Sequence, residues 1–176
     1  MTSFYDIPQV EIEILGVALL LFGLLSVLAI LSNYENDYQV LTQLGFFDLF
    51  KSEHTSQIHN WLGIFGAVLS HHLIYNYLGY PVLIQSLMLF VWGWVMLRHH
   101  GLSKPTYFTV YALVFNLLLS SLFGFVAILS DSGLTDNAWS GMIGIFLASM
   151  THSILGGIGG MIVLLAALFV TLVLFV

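Results

Sequence analysis

Four apolar runs, at about residues 14–32, 78–97, 107–129 and 157–176, are each long enough to cross the hydrocarbon core of a bilayer, which takes about 20 helical residues. Lipid provides no partner for an unpaired backbone N–H or C=O, so such runs must close their hydrogen bonds internally and form helices. The chain has little with which to build a water-facing surface. Of its 176 residues 59% are apolar and 7% charged, against about 25% charged in a soluble domain. The fold class expected is an all-α membrane protein, one membrane domain over 1–176 with four transmembrane helices. No cleavable leader is expected, because Asp6, Glu11 and Glu13 stand where a basic segment would precede the first run. The fourth run reaches Val176 without a polar stop, so the chain either ends within the membrane or is the front part of a longer one.

Lys51, Arg98 and Lys104 are the only cations. Two of them fall in the short loop RHHGLSKP after the second run, and the loop DSGLTDN after the third has none. Short loops rich in Lys and Arg stay in the cytoplasm. The middle loop and both termini are therefore expected there, with the other two loops outside. So few cations also exclude a nucleic-acid surface, which must replace the counterions of many phosphates.

The chain repeats itself. A shift of 78 positions superposes Trp61 on Trp139, Gly63 on Gly141, Gly66 on Gly144, Leu69 on Leu147 and Gly79 on Gly157. The run before each copy ends alike, AILSN at 29–33 and AILSD at 127–131. The unit is a span, a polar loop, a Trp-Gly-Gly segment and a second span, so two tandem two-span repeats are expected. The apolar part of the first segment, Trp61 to Leu69, is too short to span. Segments 60–77 and 139–154 are therefore expected as short external interfacial helices, with Trp61 and Trp139 at headgroup level. Each should turn into the following span near Gly79 or Gly157.

Seven histidines raise the possibility of haem or metal. His71 and His72 are adjacent, as are His99 and His100, so their side chains diverge by about 100° on a helix and cannot share an ion. None of the four runs contains a histidine, and no cofactor, metal or catalytic residue is expected. In the first loop Glu35, Asp37, Asp48, Glu53, His54 and His59 read as a solvated acidic surface rather than a cation site. Cysteine is absent, no lysine follows a glycine as a phosphate-binding loop requires, and the spans lack the internal charges of a transport path.

The spans do carry close-packing faces. Ala112, Asn116, Ser120 and Gly124 recur every four residues in the third, Gly156 and Gly160 open the fourth, and Gly16 and Gly23 lie a heptad apart in the first. In lipid, helices associate through such small and hydrogen-bonding faces, here either within the chain's own bundle or at an interface between subunits.

The segment Asn60-Trp-Leu-Gly63-Ile-Phe-Gly66-Ala67, its Gly79-led span and the degenerate second copy from Trp139 to Gly160 resemble the N-terminal four-span domain of the FtsK/SpoIIIE DNA translocases. The resemblance covers nearly the whole chain. It implies a membrane-anchoring and oligomerising domain in the bacterial inner membrane at the division septum. Such a domain serves cell division and chromosome partition, with divisome membrane proteins as partners and no direct contact with nucleic acid. The ATP-driven motor and its catalytic residues would lie beyond Val176, so this segment is expected not to be an enzyme. The other function class is a small accessory subunit of a membrane redox or transport complex, a haem-binding one included.

Overall fold

The computed structural model describes residues 9–43, 58–98, 103–130 and 137–175. The acidic residues Asp48 and Glu53, the histidines His54, His99 and His100, and Val176 lie outside them. Every element among the described residues is helical. Helix α1 runs over Gln9–Leu31 and α2 over Glu35–Gln43. Next, α3 at Gly63–His71 passes without interruption into a π-helical stretch, His72–Leu78. After Gly79 a 3-10 turn, Tyr80–Val82, leads into α4, Leu83–Leu97. Two long helices follow, α5 over Ser103–Leu129 and α6 over Gly141–Phe175.

Four of these helical stretches, Gln9–Leu31, Tyr80–Leu97, Pro105–Leu129 and Gly141–Leu174, are long and apolar enough to cross a membrane. The protein is a multi-pass membrane protein. Its first helix starts at Gln9 rather than near residue 14 and takes in Glu11 and Glu13. At about 1.5 Å per residue, α1 is roughly 34 Å long, so its acidic first turn can stand outside a hydrocarbon core of about 30 Å.

Helix α1 packs on α4, and α5 packs on α6. Small residues set the first contact: a β-carbon on Gly93 would fall 2.7 Å from the Gly16 carbonyl, and one on Gly23 would fall 3.2 Å from that of Ser86. In the second contact a β-carbon on Gly160 would meet the Phe125 ring at 2.5 Å. Two apolar clusters mark the core. Ile30, Ile74, Leu78, Val82 and Ala138 form one at the end where α1 finishes, and Phe125, Ala148 and Leu164 form the other. The pairs are joined through α4 and α5, where Trp92 Nε1 donates to Thr109 Oγ1 at 2.7 Å.

Two glycines bend the chain. Gly79 (φ 72°, ψ −165°) ends the π-helical stretch, and Gly156 (φ 69°, ψ −177°) breaks α6. This region of backbone space is essentially reserved for glycine. The bend at Gly156 is sharp: a β-carbon on Gly160 would lie 3.2 Å from Cγ2 of Thr151, which a straight helix would hold about 13 Å away. The second bend thus falls one residue before the expected Gly157. Gly63 and Gly141, both at φ 60°, mark equivalent starts. From there the first segment needs one residue more to reach its bend, and its π-helical turns, with their wider i→i+5 pitch, take up that residue.

Candidate functional site

The residues of the Asn-x-x-Gly-x-x-Gly segment form a clasp on the end of α1. A helix leaves its last carbonyls without partners. Asn60 Nδ2 supplies them, donating to Ala29 O at 3.0 Å and Ser32 O at 3.2 Å. Its Oδ1 accepts from Leu62 N at 3.1 Å, and its own carbonyl accepts from Gly63 N at 2.8 Å. Ser32 Oγ donates to Leu28 O and accepts from Trp61 N. The glycines make room: a β-carbon on Gly66 would collide with Asn60 Oδ1, and Gly63 holds the positive φ of the turn. Trp61 itself is 70% exposed, as an aromatic at a lipid–water boundary would be.

Asp37 locks the clasp. Although it is carried on the polar helix α2, it is 1% exposed. Its carboxylate accepts from Asn60 N at 2.8 Å and from His59 N at 3.0 and 3.1 Å, with His59 Nδ1 at 3.4 Å. A buried carboxylate is tolerable only with such partners. The sequence alone reads Asp37 as a solvated loop acid; the fold places it in the first turn of α2, two residues after Glu35.

Helix α2 is also fixed by rings. Tyr38 stacks on His71 with centroids 3.4 Å apart and planes 3° from parallel, and Tyr75 covers His71 from elsewhere at 4.9 Å. Desolvation in this stack, with the neighbouring His72 second, lowers the pKa of His71 below its ordinary 6.5. His72 turns away and meets Asn76 Nδ2 through Nδ1 at 2.6 Å. Among the described residues no group of three His, Asp or Glu comes together.

The second segment is held differently. Ala138 occupies the place of Asn60, and Gly144 lies against Ser120 of α5 instead of an asparagine. Ser120 Oγ donates to Ser140 O, while Gly124 faces the Gly144 carbonyl, to which a β-carbon would come within 2.9 Å. Ser120 is nine residues, roughly 13 Å, short of the α5 end. At that end a β-carbon on Gly157 would lie 3.2 Å from Cδ2 of Leu129. The limb 141–155 therefore runs obliquely alongside α5 between Ser120 and Leu129.

The two segments meet backbone to backbone. Tyr80 N donates to Ala138 O at 2.8 Å. A β-carbon on Gly79 would strike the Trp139 carbonyl, and one on Gly141 would strike that of Tyr77. Trp139 rests between Tyr80 and Phe123, with centroids 5.1 and 5.6 Å away. Of the other residues expected to pack, Asn116, Ser120, Gly124 and Gly160 are buried and Ala112 is half-buried. Gly156 packs on nothing and serves as the bend.

The geometry orders backbone and seals the end of α1. With it in view, the similarities are informative. Residues 9–176 match the family described as the 4TM region of DNA translocase FtsK/SpoIIIE. A protein of Chlorobaculum tepidum named DNA translocase FtsK is 33% identical over 140 residues, which is 78% of this chain and 17% of that protein. No solved structure matches the chain.

Proposed function

Since the chain belongs to the FtsK/SpoIIIE family as its four-span membrane region, we propose that it anchors a DNA translocase at the division septum, in the cytoplasmic membrane, with both termini in the cytoplasm. The family match over 9–176 carries the reading. The small share of the Chlorobaculum tepidum protein that the chain spans, 17%, agrees with a motor encoded elsewhere in such a protein. Arg98 stacks 4.8 Å over Trp94 at the end of α4 opposite the clasp. A basic residue on an aromatic there supports a cytoplasmic face at that end.

In this reading the two Trp-Gly-Gly segments are copies of one unit, of which the first caps α1 and the second lies against α5. Gly63 and Gly141 share φ 60°, and Gly79 and Gly156 share φ near 70°, which supports the duplication. The domain tethers, associates with copies of itself and with divisome membrane proteins, and leaves DNA to the motor. The chain's three cations could not neutralise a duplex carrying one phosphate charge per roughly 1.7 Å. The test is fluorescence imaging of the tagged chain in dividing cells of its own host. A band at mid-cell is expected; even labelling of the whole envelope would contradict the septal role.

A further inference from the structure

Among the described residues five buried side-chain polar atoms have no hydrogen-bond partner: Ser121 Oγ, Asn137 Oδ1 and, on facing helices of the bundle, Oδ1 and Nδ2 of Asn116 and Nε2 of Gln85. Asn116 is 0% exposed. The bond from Trp92 to Thr109 fixes the register of antiparallel α4 and α5. Gln85 lies seven residues from Trp92 toward the clasp, and Asn116 seven residues from Thr109 in the same direction. Seven residues are about two helical turns, which return each chain to the same face roughly 10 Å further on. The two amides therefore stand level on the facing sides of α4 and α5.

Their surroundings say what can join them. A cavity of about 240 Å³ borders this level, lined by Ile84 and Met88 of α4, Ala112 and Phe115 of α5 and Leu172 of α6 among others. Apolar walls of that kind stay dry, and only a polar site with two to four partners holds water. The amides are such a site. A direct bond between them would satisfy one donor and one acceptor, while Asn116 alone has two donors and an acceptor to fill. Hydrocarbon supplies none of these.

We propose that Gln85 and Asn116 bind a water molecule between α4 and α5 in the middle of the membrane. The water accepts from Gln85 Nε2 and Asn116 Nδ2 and donates to Asn116 Oδ1, which fills all three unpartnered atoms. It couples the α1–α4 pair to the α5–α6 pair where apolar packing is incomplete.

The test uses the 176-residue chain, ¹⁵N-labelled at Asn and Gln, in lipid nanodiscs. Side-chain amides are assigned through the backbone, so that the readout does not depend on a variant folding. Selective excitation of water is expected to transfer to the amide protons of Asn116 and Gln85 and not to aliphatic protons of Met88 or Phe115 at the cavity wall. Asn116→Leu and Gln85→Leu should each lower Tm by several degrees, and the double variant should recover most of that loss. Amide protons of Asn116 that receive nothing from water would overturn the proposal. So would a water signal that persists at Gln85 after Asn116→Leu.

Discussion

Asn60 Oδ1 occupies the space in which a β-carbon on Gly66 would stand. The two positions are therefore one device: the asparagine caps α1, and the glycine admits it. Gly66→Ala should expel the amide and uncap the helix, costing about 2–4 kcal/mol, in the range of disrupted buried hydrogen-bond networks. Asn60→Ala should cost a similar amount. The double variant should cost clearly less than the sum, because alanine at 60 removes the clash. Thermal melts of the four proteins in detergent check this; additive losses would mean that the positions act separately.

Asp37 is buried with the backbone N–H groups of His59 and Asn60 aimed at it. Asp37→Ala leaves the amides of His59 and Asn60 without acceptors, at about 1–3 kcal/mol. Asp37→Asn, which keeps one acceptor oxygen, should lose less. Thermal melts in detergent report the outcome, with the alanine variant melting lowest.

The two bends rank each other. Gly79 and Gly156 share a backbone conformation closed to other residues, worth about 1–3 kcal/mol for alanine at either. Only at Gly79 would the new methyl also strike the Trp139 carbonyl. Gly79→Ala should therefore be the more damaging, visible as a lower yield of folded protein in size-exclusion runs.

His71 makes the α2 contact pH-dependent. Burial holds its pKa below 6.5 in the folded state, so above pH 6.5 the ring is neutral in both states and the contact is at full strength. As pH falls through 6.5 the unfolded chain takes up the proton first, and stability declines until the folded pKa is passed. Tm measured from pH 8 to pH 5 should fall more for the native chain than for His71→Phe, which keeps the stack and cannot titrate.

Much of this was legible in the residues. Run length gives the spans, since the bilayer dictates it, and the glycine spacing marks both Trp-Gly-Gly segments. What escaped has physical causes. A carboxylate such as Asp37 reads as solvated until the fold turns backbone amides toward it. The π-helical turns of His72–Leu78 add a residue without any signal in composition, which is why a fixed shift of 78 pointed to Gly157 when the bend is at Gly156. The second segment lost its asparagine to Ala138, and its substitute, Ser120, comes from a different helix.

Topology tests the central claim most directly. Single cysteines placed at 45, 103 and 135 in the cysteine-free chain can be challenged in intact cells with a membrane-impermeant thiol reagent. The account predicts labelling at 45 and 135 and none at Ser103→Cys until the membrane is opened. Labelling of Ser103→Cys from outside would place the middle loop and both termini on the wrong side for a cytoplasmic motor, and would contradict the account.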